Sequence, residues 1–318
     1  MRNVPALLLL AALCLATPAL GKSDEPDARY QPTQSLLEIN AVLRRHIPDD
    51  TYRFAPARDF TGRNVYRSSL LRLENLERAH EAALRAGAWA EVLPFAKARA
   101  LERLRAYDVA AESYRRAAAA EGELAQEALR SAAVCDALVT ATKRGEAPLA
   151  AGPEDALLAA REARIEEIGA RRTKLEELLE TAQGTHYAAI VREEIERNDR
   201  ERARVLVSTR RLFADGAVRA LAALQRLAID HKESKHANAH VLELAELYAT
   251  LAREYVEEYP PESPGFEPER FEELVNSAAR LYETVSNQDG ATEKLEAARR
   301  LEAFLAFTLK VDRDRFTP

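Results

Sequence analysis

Two short stretches carry residue types that could bind a metal. Glu77-Arg78-Ala79-His80 and Glu233-Ser234-Lys235-His236 each set a carboxylate three residues ahead of an imidazole. Ferritin-like helical bundles use that pairing on two helices to hold two metal ions. His240 and Glu243 extend the second stretch, because positions 236, 240 and 243 share one face of a helix. His236 and His240 are therefore the candidate metal ligands. With six histidines against 52 acidic residues in 318 positions, about one such pairing arises by chance. A di-metal bundle also needs two further inward-facing glutamates, and both motifs lie among charged neighbours. The plainer reading is solvent-exposed histidines, and no cofactor is expected.

Other chemistry is sparser still. The 11 glycines are dispersed singly, so no phosphate-cradling loop or nucleophile elbow is present. Serine, histidine and aspartate occur at no spacing that ties them together. Cys135 sits with Ala132, Ala133, Val134 and Leu138, the setting of a small buried hydrophobe rather than a nucleophile. The chain is expected not to be an enzyme. Its 46 basic and 52 acidic residues give a net charge of −6, interspersed along the chain. A nucleic-acid binder would show a basic face instead.

The elements that must position these residues read as helices throughout. Ala, Leu, Glu and Arg fill almost every stretch, and no segment alternates with a period of two. The expected class is all-α. Residues 1–21, with Arg2, an apolar run from Ala6 to Ala16 and Ala19-Leu20-Gly21, have the form of a signal peptide cleaved near Gly21. Leu13 before Cys14 departs from the lipidation pattern, so an exported, unlipidated protein of the periplasm or exterior is expected, without a membrane span in the mature chain. Cys135 is then the one mature cysteine, and no intrachain disulfide forms.

Proline punctuates the remainder and divides it into four parts. Residues 22–66 form an irregular segment with one short helix over 36–45 and a loop holding Tyr52, Phe54, Phe60 and Tyr66. Residues 67–147 read as three or four antiparallel helices, broken at Gly87, 104–106, Gly122 and Gly145. Residues 154–231 hold Leu158, Ile165, Ile168, Leu175, Leu179 and Ala182 at spacings of three and four, with Arg161 and Arg172 intruding. That stripe predicts one arm of a long antiparallel coiled-coil-like hairpin, about 40 Å long at ~1.5 Å per residue. Its second helix should run from Tyr187 through Leu212, with Gly216 kinking or ending it and a Val218–Ile229 stripe following. Residues 232–318 should hold a helix over 233–258, another starting at Pro268, and a last one over 291–311.

Within the second and fourth parts one spacing recurs. Ala98, Leu101, Tyr107, Ala110, Tyr114 and Ala117 stand at steps of 3, 6, 3, 4 and 3, and so do Ala279, Tyr282, Gln288, Ala291, Leu295 and Ala298. This resembles the helix–turn–helix signature of tetratricopeptide repeats, over residues 91–124 and 272–305. Pro94 occupies the family's early bulky position, and Arg105 stands where glycine is common. The resemblance implies an α-solenoid of helical hairpins, with Ala291 and Ala298 at close approach to a partner helix. It also implies a groove lined by Phe95, Arg99 and Glu102 in the first unit and Asn276, Arg280 and Glu283 in the second. Each unit would present an Arg followed three residues later by a Glu, which reads first as a surface ion pair and, as the alternative, as a clamp for a peptide carboxylate. The functional expectation is a non-enzymatic scaffold for a protein or peptide partner in the cell envelope. The alternatives are a metal-binding helical bundle with possible enzymatic activity, or a structural coiled-coil spacer.

Overall fold

The computed structural model describes residues 32–49, 65–85, 87, 89–145 and 154–315. The expected signal peptide and cleavage site, Cys14 and three of the loop aromatics (Tyr52, Phe54, Phe60) lie outside the described residues. What is described is all-α: twelve α-helices and no strand among the described residues. None of these helices is long and apolar enough to cross a membrane.

The first helix, α1 (Pro32–Asp49), begins on a proline and is longer than the sequence suggested. It is followed by α2 (Val65–Ala79), the single-turn α3 (Glu81–Arg85), α4 (Val92–Arg103), α5 (Tyr107–Ala118) and α6 (Ala125–Thr142). The long pair is α7 (Glu154–Ala182) and α8 (Tyr187–Ser208), and α9 (Gly216–Asp230), α10 (Ala237–Glu258), α11 (Pro268–Ser286) and α12 (Lys294–Arg315) complete the chain. Helices pack chiefly on their chain neighbours, with α4 taking the place of α3 beside α2. Four apolar cores result. One joins α1, α2 and α4, the next α4 to α8, the third α8, α9 and α10, and the last α10, α11 and α12. Helices α4, α8 and α10 each belong to two cores.

Alanine sets the close approach of α4 to α5 and α6: Ala98, Ala110, Ala117 and Ala128 are wholly buried around Tyr114. All six residues of the first recurring spacing, Ala98 to Ala117, are buried. The second set behaves differently. Tyr282 is buried, but Gln288 and Ala298 are exposed and Leu295 is 82% exposed. The turn lengths explain this. Only 104–106 separate α4 from α5, whereas 287–293 separate α11 from α12, so α12 starts later and is rotated relative to the spacing. Ala297, not Ala298, is the wholly buried alanine, followed by Phe304, Thr308 and Val311.

The hairpin of α7 and α8 also differs in detail. Ile168, Leu175 and Ala182 are buried as the stripe predicts, while Leu158, Ile165 and Leu179 are half-buried. The arginines taken into the seam are Arg161 and Arg171; Arg172 is partly exposed. Helix α8 stops at Ser208, before Leu212, and a 3-10 turn, Arg210–Leu212, leads to α9. There Val218 and Ile229 are both 68% exposed, and α9 buries Gly216, Ala220, Leu224 and Leu227 instead.

Gly216 is where this turn closes on itself. A Cβ at that position would lie 1.8 Å from the Arg210 carbonyl oxygen, an overlap only backbone movement can relieve. Gly169 on α7 has nothing within 4 Å of its would-be Cβ. Gly216→Ala should therefore cost about 1–3 kcal/mol, whereas Gly169→Ala should be neutral or gain up to ~1 kcal/mol through helix propensity. Thermal unfolding followed by circular dichroism distinguishes the two. Equal melting temperatures for the two variants would contradict the turn geometry.

Candidate functional site

The residues of the first expected groove converge on a buried carboxylate. Glu102, in the last turn of α4, is wholly buried, so it does not line an open groove. Its side chain accepts hydrogen bonds from the Tyr114 hydroxyl at 2.7 Å, the Tyr187 hydroxyl at 2.8 Å, His186 Nε2 at 2.9 Å and Arg99 Nη1 at 3.3 Å. Burial opposes ionisation of Glu102, but His186 and Arg99 outweigh it and hold the carboxyl below its ordinary range. Burial, then the Glu102 charge, pushes the Tyr114 and Tyr187 phenols up, and both remain protonated donors. The same two causes push the neighbouring Cys135 thiol up to about 12, so it stays unionised.

Arg99 is equally committed. It contacts His186, lies 3.4 Å from Glu127, and sits over the Phe95 ring at 5.0 Å, with the Tyr114 and Tyr187 rings at 5.7 and 5.9 Å. Phe95 is half-buried against Tyr114. The second expected trio is unlike the first. Asn276, Arg280 and Glu283 are all exposed on α11, which packs on α10 and α12 rather than near α4.

The larger charged network, which inspection of the sequence missed, runs along α8. Glu193, Glu194 and Glu196 follow one another within one turn of that helix and are mostly or wholly buried. Glu193 meets Arg103 at 3.1 Å and Lys235 at 2.7 Å. Glu194 takes a two-pronged contact from Arg105, Nε at 2.6 Å and Nη2 at 2.8 Å, and a hydrogen bond from the Tyr107 hydroxyl at 2.7 Å. Glu196 accepts from His240 Nε2 at 2.6 Å and from the Ser234 hydroxyl. In each case burial opposes the charge and the partners outweigh it, leaving all three carboxyls below their ordinary range. Arg105 reaches Glu194 from a left-handed backbone, φ 65°, where glycine is the unstrained residue. The signal for this network is faint in the sequence. A run of acids and bases such as 192–204 reads as a solvated face until the helices on both sides are known.

The histidine pair belongs to this network. His240 is buried against Glu196, and its ring stands 6.2 Å from His231, which in turn bonds Asp199 at 2.9 Å. His236 is half-buried at the start of α10, and burial lowers its pKa. Glu77, of the other motif, pairs with Lys97 at 2.7 Å, and His80 lies edge-on to Trp89. Among the described residues no three His, Cys, Asp or Glu side chains are grouped to hold a metal. An open concavity among the described residues lies between α7 and α9 across the floor of α8, where two adjoining cavities have volumes of about 580 and 300 Å³.

Glu102→Ala would strand two phenols, an imidazole and a guanidinium in the interior, at a cost of about 3–5 kcal/mol. Glu283→Ala, its exposed counterpart, should change stability by less than ~0.5 kcal/mol. Urea denaturation of both variants checks this, and a mild Glu102→Ala phenotype would contradict the assigned network.

The acidity shifts set a pH dependence with a defined sign. His236 is depressed below an unfolded value near ~6.5 and the glutamates below one near ~4.3. In each case the unfolded chain binds the extra proton, so stability is present above the unfolded value and is lost on acidification. Melting temperature should fall gently below pH ~6.5 and steeply below pH ~4.5, and His236→Gln should remove the first limb only. Titrating melting temperature from pH 8 to 3 measures both limbs.

Comparison with known proteins adds no identity: no family model, curated protein or solved structure matches the chain.

Proposed function

We propose that the chain is a non-enzymatic, exported helical-repeat protein that docks a protein or peptide partner in the cell envelope and needs no cofactor. The observation that supports this reading is the serial packing of helices into four linked cores. Helices that pack mainly on chain neighbours leave grooves between alternate members, and repeat proteins use such grooves for recognition. A second support is chemical. Glu102, Glu194 and Glu196, whose acidities are displaced, are paired with side chains from other helices and so tie those helices together.

On this reading the two arginines of the recurring motif have different roles. Arg99 is consumed by Glu102 and Glu127, while Arg280 has no partner among the described residues and is free to take a carboxylate. Arg99→Glu should lower the melting temperature by several degrees, because it sets a carboxylate beside two others. Arg280→Glu should leave it unchanged. The reading itself is tested by photo-cross-linking the full-length chain in an intact envelope fraction and by sequencing the N-terminus of the isolated protein. A discrete, saturable cross-linked species and a chain beginning near Lys22 are expected. Absence of any saturable species, or a chain retaining residues 1–21 in the cytoplasm, would overturn it.

A further inference from the structure

We infer that the slot between α7 and α9 is the docking surface, and that its occupant is a short amphipathic helix of a partner protein, with small apolar residues on one face and carboxylates along both edges. This rests on the docking reading above and gives it a place and a partner chemistry.

The shape comes first. Both α7 and α9 pack along α8, so the three helices form a trough whose floor is α8. The two cavities in this trough adjoin through shared lining by Arg202, Ala223 and Arg226. The trough follows α9 from Arg219 to Asp230, about 17 Å or three helical turns at ~1.5 Å per residue. Between its charged side chains the trough carries small and aliphatic ones: Gly169, Ile165 and Ile168 on α7, Ala203 and Leu206 on α8, Ala222, Ala223 and Leu227 on α9. Nothing lies within 4 Å of a Cβ added at Gly169, which marks open space there. Small residues allow a fourth helix to approach closely, completing a four-helix arrangement.

Charge selects the occupant. Arg161, Arg172, Arg202, Arg219 and Arg226 line the trough, against Glu162, Asp199 and Asp230. Arg161 pairs with Glu162, Arg172 with Asp199 and Arg219 with Asp215. Arg202 and Arg226, one on the floor and one on the wall, are exposed and have no partner among the described residues. In a chain of net charge −6, this is a local excess of cation facing an open concavity. Paired guanidinium groups favour carboxylates, which they grip with two parallel hydrogen bonds. The cations are spread over three helices and both cavities: Arg161 and Arg219 line one, Arg172 the other, and Arg202 and Arg226 both. A single phosphate needs convergent donors, whereas a helix edged with glutamates meets donors distributed along its length.

The test uses full-length protein and three labelled 16-residue peptides read by fluorescence anisotropy. The first is an amphipathic helix with an Ala/Leu face edged by Glu, the second has Lys for each Glu, and the third is the acidic peptide broken by central prolines. The protein variants are Arg202→Glu/Arg226→Glu and, as a steric block, Gly169→Trp; both alter exposed positions, and thermal melts verify folding. The acidic helix should bind saturably and weaken with salt. Each variant should weaken it at least tenfold, and the Lys and proline peptides should bind at least tenfold more weakly than the acidic helix. Equal binding of the Lys or proline peptides, or binding untouched by both variants, overturns the proposal. Arg-dependent binding of phosphatidylglycerol vesicles without peptide binding also overturns it, in favour of a lipid surface. Envelope cross-linking separates this inference from the docking reading. A partner still captured by folded Arg202→Glu/Arg226→Glu protein removes the slot but keeps the docking function, whereas no capture by the parent chain removes both.

Discussion

Three successive carboxylates buried on one helix are the constraint around which this molecule is arranged. Glu193, Glu194 and Glu196 lie in a single turn of α8, and each is paired with side chains from the flanking segments. The end of α4 supplies Arg103, the turn after it Arg105 and the start of α5 Tyr107, while α10 and the segment before it supply Ser234, Lys235 and His240. Residues about ninety positions upstream and forty downstream therefore meet on one turn of helix. A buried carboxylate that loses its partner is costly, so these contacts tie the flanking segments to α8. Apolar cores tolerate rotation of one helix on another; a two-pronged guanidinium contact does not.

The same logic accounts for what the sequence made legible. Fold class was readable, because composition and the absence of two-residue alternation leave only helices. The start of α11 at Pro268 was also readable, since proline tolerates the first helical turn and little else in a helix. The burial of the first recurring unit was visible in its alternation of Ala and Tyr. Its twin misled because sequence spacing does not record turn length: four extra residues between α11 and α12 turned Leu295 outward and brought Ala297 in. The start of α8 at Tyr187 was legible, but its end was unreadable for a related reason. Nothing between Leu206 and Phe213 breaks a helix by composition, and the stop depends on the Arg210 carbonyl meeting a Cβ-less Gly216.

The candidate site was legible only in part. Arg99, Glu102 and Phe95 do come together, yet as an internal assembly with Tyr114, Tyr187 and His186, whose contributions come from other helices. Glu102 is polar at a position where i,i+3 spacing from Arg99 suggested a surface pair. Helical spacing identifies neighbours on one helix but not whether a second helix covers them. His236 and His240 illustrate the converse: a plausible ligand pair on one face is drawn apart in role because Glu196 of α8 claims only His240. Arg202 and Arg226, by contrast, are indistinguishable in sequence from the other arginines of 192–226, and only the trough between α7 and α9 singles them out.

Arg105 carries a consequence for how this chain can change over time. Its left-handed backbone costs roughly 1–2 kcal/mol that a glycine would avoid. That cost is offset only while Glu194 stands opposite. Replacing Glu194 first would leave a strained residue with nothing to hold; replacing Arg105 first would leave a buried carboxylate served by Tyr107 and Arg197 alone. The two changes together, glycine at position 105 and a neutral residue at 194, would remove the strain and the buried charge at once. The two positions are thus energetically coupled, and the effect of a change at one depends on the residue that stands at the other.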